Sequence, residues 1–243
     1  MSGHSKWATT KHKKAIVDAK RSASFTKLSK IVTIAARGGG DPTMNFSLRL
    51  AIDRAKAASM PKENIEKAIK RGTGEIGGAA IEEIVYEGYG PAGIAIIIVC
   101  LTDNRLRTVS EIRSIFNKFG GTLAEAGGVA YLFEKRGEIS LSRPKADRPV
   151  DEAEKIEEKI IDSGALDFEL EDDTIYIVYT ELTDLQKVAN YFVDAGIKIE
   201  SSDIIYQPKT KVQVPEEKMP AVEKLLNALE ELDDVSEVFS NIE

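Results

Sequence analysis

The sequence predicts an α+β protein, an N-terminal three-helix bundle followed by two ferredoxin-like α+β domains, one inserted in the other. Three observations predict it. Residues 1–72 place their apolar side chains at helical spacing. The Gly-rich stretch Thr73 to Gly78 closes that region, and short strand-like runs then alternate with helical ones. Counted in order, residues 138–206 read β-α-β-β-α-β, a complete ferredoxin-like unit. The flanking segments supply β-α-β on each side. They complete a second unit only if 138–206 is inserted between its second and third strands, where the neighbouring ends of a hairpin accept an insertion. The expected domains are 1–72, 79–137 with 207–243, and 138–206.

The first helix is expected within Lys11 to Arg37. Phe25, Leu28, Val32 and Ala35 form one stripe within an arc of about 80°. Lys20, Lys27, Lys30 and Arg37 fall on the opposite side of the wheel. Gly38-Gly39-Gly40 supplies a left-handed helix stop. Asp41 then reads as the N-cap of a second helix with Pro42 in its first turn and Met44, Leu48, Ile52 and Ala55 as its stripe. Pro61 opens a third helix carrying Ile65, Ala68 and Ile69 and ending at Gly72.

Ile94 to Leu101 is apolar without interruption, as a strand buried on both faces must be. A helix with Val109, Ile112, Phe116 and Phe119 follows, then a strand in which Val129, Tyr131 and Phe133 alternate. The inserted unit comprises a strand near Ile139, an acidic helix around Asp151–Ser163, strands around Phe168 and Ile175–Tyr179, a helix through Leu185–Ala195 and a strand through Ile197–Ile205. The chain closes with a strand at Lys211–Val214, a helix at Glu216–Leu232 and a strand at Val235–Phe239.

Charge carries the functional signal. The 243 residues sum to −7, but residues 1–72 hold 16 Lys and Arg against 5 Asp and Glu, a net of +11. The remainder stands at −18. A segment of +11 calls for a polyanion, or else for docking on the chain's own acidic half. No apolar run is long enough for a membrane helix, and the single cysteine, Cys100, rules out a disulfide framework. A cytoplasmic protein with no cofactor, no metal and no membrane partner is expected.

The candidate contacts follow from that charge. The arm Gly3-His4-Ser5-Lys6-Trp7 leads into Lys11, Lys13, Lys14, Lys20 and Arg21. Lysines take phosphates as point charges, and Trp7 either stacks on a base or packs on the bundle. Lys27, Lys30 and Arg37 extend the same basic series. Outside it, Arg105 and Arg107 lie in a polar loop that runs into a helix, where Asp103 or Asn104 can serve as the cap. With Arg113 they form the second basic group, and a groove of one charge sign between the two regions is expected. Gly88-Tyr89-Gly90-Pro91-Ala92-Gly93 spells the dinucleotide fingerprint, but a β-rich run follows it, so it reads as a turn between strands. Tyr131 and Phe133 on a ferredoxin-like sheet could stack on bases as in RNA-recognition domains, but the Lys/Arg-Gly-aromatic signature of those domains is missing, so they read as core. No nucleophile-base pair is present, and both histidines sit in the arm, so no catalytic residue is assigned.

These segments resemble the YebC family, which includes bacterial proteins described as probable transcriptional regulators and a mitochondrial translational activator of cytochrome c oxidase subunit I. The resemblance spans nearly the whole chain. It rests on Gly3 to Trp7, Gly38 to Met44, Met60-Pro61-Lys62, Tyr86 to Pro91, Leu101 to Arg105 with Arg107-Thr108, and Gly128 to Phe133. Ser22-Ala23-Ser24 stands where the family carries a longer basic stretch. The resemblance implies a three-domain α+β fold and nucleic-acid or ribosome association in the cytoplasm, and a DNA-binding transcriptional regulator is the expected role. A factor that binds RNA or the ribosome and activates translation is the alternative, and a protein-interaction scaffold a third. No dimerisation zipper is present, and a monomer is expected.

Overall fold

The computed structural model describes residues 21–143, 150–171 and 174–243. Their contacts form two compact units: the described part of Met1–Glu134 together with Gln207–Glu243, and Lys135–Tyr206.

Three helices open the first unit: α1 (Arg21–Ala35), α2 (Phe46–Ala57) and α3 (Lys62–Gly72). Val32, Leu48, Ala51, Ile52, Ala55, Met60, Ile65 and Ala68 are buried between them, with Phe25, Leu28, Ala35 and Ile69 packed on the margin. The helical spacing in the sequence therefore builds a real core. Its boundaries differ in two places. A short 3-10 turn, Ala36–Gly38, ends the first helix, and Gly39 follows at φ +129° and ψ 141°, a conformation open to glycine but distinct from the expected left-handed stop. The N-cap of α2 is Asn45, whose side chain accepts from Leu48 N at 3.0 Å. Asp41 instead accepts from the backbone and hydroxyl of Thr43, which holds a separate turn. That turn displaces Met44 from the stripe and leaves it 87% exposed.

The rest of this unit contains β1 (Glu82–Tyr89), β2 (Ala95–Thr102), α4 (Arg105–Lys118), β3 (Thr122–Leu123), α7 (Met219–Glu230) and β8 (Val235–Ser240). The sheet order is β3-β1-β2-β8, with β1 and β8 antiparallel to β2. Ile94, Ile96, Ile98 and Cys100 meet Ile112 and Phe116 of α4 and Val222, Leu225, Leu226 and Leu229 of α7. The opposite face of β2 receives α1, which is why the central strand is apolar throughout. Burial pushes the Cys100 thiol up to about 12, so it stays protonated as a small core side chain.

The element order in this half departs from β-α-β on each side. The first two strands form a hairpin, with Glu82 opposite Thr102 and Tyr89 opposite Ala95. The expected strand at Lys211–Val214 is a single bridge from Val212 to Ile242. Ala130–Leu132 forms a 3-10 turn where alternation suggested strand.

The second unit holds most of β4 (Phe133–Ser142), then α5 (Val150–Asp162), β5 (Asp167–Glu171), β6 (Ile175–Thr180), α6 (Leu185–Asp194) and most of β7 (Ile199–Pro208). The order β5-β6-β4-β7 is the ferredoxin-like arrangement that the sequence pattern implies. Ile139, Leu141, Ile160, Tyr176, Val178, Val188 and Phe192 form its interior.

Candidate nucleic-acid interface

The candidate contact residues divide into three groups by their surroundings. Lys6, Trp7, Lys11, Lys13, Lys14 and Lys20 lie outside the described residues. Arg21 opens α1. The remaining five are all engaged by acceptors of their own chain.

Lys27 and Lys30 project from α1 toward the turn between α7 and β8. The ammonium of Lys27 donates to the carbonyl of Glu230. That of Lys30 donates to Asp233 O at 3.0 Å and to the Asp234 carboxylate. Arg37 donates to the carbonyl of Ile81. The face of α1 opposite its stripe is thus partly a contact between the bundle and the acidic end of the second core. Docking on the chain's own acidic half, the alternative to a polyanion, accounts for Lys27 and Lys30 on this helix.

Asp234 is the centre of that contact, with 2% of its surface exposed. Arg107 grips it with Nη2 at 2.8 and 3.1 Å from the two carboxylate oxygens. Thr108 Oγ1 donates to Oδ2 at 2.7 Å. Burial alone would raise the Asp234 carboxyl, but hydrogen bonds from Lys30, Arg107 and Thr108 outweigh it and hold the group at about 2. Asn104 caps α4 by accepting from Arg107 N at 3.1 Å, which settles the choice between Asp103 and Asn104. Asp103 pairs with Arg107 at 3.2 Å. Arg105 pairs with Glu82, both well exposed.

A groove of about 1020 Å³ runs between the bundle and the second core. The expected junction between the basic bundle and the Asp103–Arg107 loop therefore exists. Its charge does not have one sign. Lys30, Lys67, Arg71 and Arg107 line it, but so do Asp103, Glu111, Glu231, Asp233 and Asp234. The carboxylates that fix Arg107 necessarily enter the same wall. The Gly-rich stretch borders the groove through Ile76, Gly77 and Gly78, and it is tied down by bonds from Glu75 N and Ile76 N to Lys70 O. Lys56, Lys62, Lys67 and Lys70 keep exposed positions on α2 and α3.

The residues Gly88 to Gly93 join β1 and β2 through a 3-10 turn at Pro91–Gly93, so no helix N-terminus awaits a pyrophosphate there. What the sequence did not reveal is the role of Glu87. Its carboxylate is buried and accepts from the backbone nitrogens of Gly127, Val129 and Ala130 at 2.8, 2.6 and 2.7 Å. Desolvation would raise this carboxyl, but the three backbone donors together lower it. Nothing in EEIVYEGY sets Glu87 apart from Glu82 and Glu83; only its burial, which a carboxylate tolerates with such partners, does so. Tyr131, expected in the core, is 62% exposed. The 3-10 turn rotates it outward while Val129 and Phe133 on either side stay inside. Among the described residues no cluster of histidine, cysteine and carboxylates is arranged to hold a metal ion, and no helix is long and apolar enough to cross a membrane.

Comparison with known proteins covers both halves of the chain. Residues 5–75 match the family described as "TACO1/YebC protein N-terminal domain", and residues 81–242 match "TACO1/YebC second and third domain". A "probable transcriptional regulatory protein" of Persephonella marina is 50% identical, over 100% of this chain and 96% of the relative. Another of that name, from Thermotoga maritima, is 47% identical over 100% of this chain and 94% of the relative. The crystal structure of a conserved hypothetical protein from Aquifex aeolicus superposes with a TM-score of 0.84 at 46% identity, covering 98% of this chain and 96% of that one.

Proposed function

Because the chain belongs to the TACO1/YebC family, we propose that it regulates gene expression by holding nucleic acid through its phosphates, with the N-terminal helical domain as the grip. The observation that carries this reading is the net +11 of residues 1–72 in a chain whose remainder is −18. Among the described residues, Lys56, Lys62, Lys67 and Lys70 keep exposed positions around the bundle core. Such a surface attracts a polyanion at long range and holds it by releasing its counterions.

Lys6, Trp7, Lys11, Lys13, Lys14, Lys20 and Arg21 are the centre of the proposed interface. Lys27, Lys30, Arg37, Arg105 and Arg107 border it, each already held by an acceptor of the protein. A phosphate reaching them shares or exchanges those acceptors, so their contribution is smaller per residue. Duplex DNA is the target we propose; structured RNA presents the same phosphates. The role proposed is binding without catalysis.

Two double variants test the interface. Replacing Lys13 and Lys14 by alanine is expected to weaken binding to every sequence alike and to flatten the salt dependence by about one unit per lysine. Replacing Arg105 and Arg107 is expected to have the smaller effect on binding. Full affinity in the Lys13/Lys14 variant would remove the arm from the interface.

A further inference from the structure

Aromatic side chains left in water forgo the burial that normally makes them worthwhile, so a rigidly mounted exposed ring asks for a ligand. Tyr131 is such a ring. It stands 62% exposed between Val129 and Phe133, which are 0% and 5% exposed. Its mount is unusually well tied. The Glu87 carboxylate fixes the nitrogens of Gly127, Val129 and Ala130. Leu132 N closes the turn on Val129 O at 2.9 Å. The hydroxyl of Tyr89 donates to Gly128 O at 2.8 Å. From the other side Lys209 donates twice, through its backbone to Leu132 O at 2.9 Å and through its ammonium to Tyr131 O at 3.0 Å. An exposed ammonium therefore sits beside the base of an exposed phenol.

We infer that Tyr131 and Lys209 form a second nucleic-acid contact, in which an unpaired base stacks on the Tyr131 ring and its phosphate meets the Lys209 ammonium. The inference rests on the nucleic-acid reading above and adds the strand state of the ligand. A duplex hides its base faces, so this contact selects single-stranded segments, loops or ends. Base-aromatic stacking accepts any base, so the contact discriminates structure rather than sequence. Charge alone does not make the patch, since Glu125 and Glu134 belong to the same segment. The ring must contribute most of the affinity, and Lys209 supplies the salt-dependent part.

The test uses the full chain with three labelled probes: a short oligouridylate, the matching oligodeoxythymidylate and a blunt duplex. Tyr131→Ala is expected to weaken single-strand binding roughly ten-fold, as loss of one stacking platform does, while duplex binding is unchanged. Tyr131→Phe is expected to retain wild-type affinity, because the ring and not the hydroxyl is the platform. Lys209→Ala is expected to flatten the single-strand salt slope by about 0.7, whereas Tyr131→Ala leaves that slope as it was. Loss on the oligouridylate alone assigns the contact to RNA; equal loss assigns it to either strand. Wild-type single-strand affinity in a Tyr131→Ala protein of unchanged melting temperature overturns the inference. So does an equal loss on the duplex. If the Lys13/Lys14 variant loses binding while Tyr131→Ala does not, the phosphate reading stands and this one falls. A wild-type protein that binds none of the probes ends both.

Discussion

Asp234 meets two cations and a hydroxyl while almost wholly withdrawn from water. Removing such a carboxylate leaves Lys30 and Arg107 facing each other without their common counter-charge. Asp234→Ala is therefore expected to cost about 3 kcal/mol, read from the denaturant midpoint. The pH dependence has a definite sign. A carboxyl held at about 2, below its ordinary 3.8, stabilises the fold fully above the ordinary value and loses that contribution as pH falls through its folded value. The stability gap between the native protein and Asp234→Asn should narrow between about pH 4 and pH 2. The two arginines at the start of α4 separate by the same criterion of burial. Arg105 pairs with Glu82 at the surface, with 68% and 47% of the side chains exposed, and its alanine variant should lose less than about 1 kcal/mol. Arg107 holds a buried carboxylate and should cost about 2 kcal/mol, as charge-assisted bonds to a buried group do. Sequence alone groups both as one basic candidate contact, because the partners that separate them, Glu82 and Asp234, lie elsewhere in the chain.

Glu87 and Gly88 fix how β1 meets the segment beyond α4. A Cβ on Gly88 would stand 2.5 Å from Phe116 Cζ and 2.9 Å from Thr122 O. Gly88→Ala must push apart a ring that is 0% exposed and a backbone carbonyl, and a loss of about 1–3 kcal/mol is expected in chemical unfolding. Gly88 thus answers to packing between helix and sheet, although its motif spells a phosphate-binding loop. Glu87→Ala would strand three backbone donors and should lower both stability and protection of the Gly127–Ala130 amides from hydrogen exchange. Helices with apolar stripes and the continuous strand Ile94–Leu101 were legible because each satisfies a local periodicity. The Asn45 cap was misassigned to Asp41 because both residue types satisfy the rule and only the intervening Thr43 turn decides between them. The exposed Tyr131 was illegible for another reason. Its turn is imposed by Glu87, 44 positions earlier in the sequence.

At the scale of the molecule, the division of charge organises both the fold and the proposed role. The bundle spends part of its positive charge on the acidic end of the second core through Lys27 and Lys30, which seats α1 against β2 and β8. Among the described residues, Lys56, Lys62, Lys67 and Lys70 stay exposed on α2 and α3. The sequence showed the +11 and −18 halves directly, since charge needs no structure to be counted. It did not show which cations the protein keeps for itself, because that depends on carbonyls and carboxylates about 200 residues away. The ferredoxin-like order of the inserted unit followed from counting elements, whereas the flanking half opens with a hairpin that a count of β-α-β segments passes over. The central claim is that phosphate charge governs binding, and the salt dependence of affinity tests it most directly. Titrating the full chain against a labelled duplex and a structured RNA over a range of salt should give log affinity falling linearly with log salt. The slope expected is about −0.9 for each phosphate neutralised on duplex DNA and about −0.7 on single strands. An affinity that does not change with salt would contradict the account.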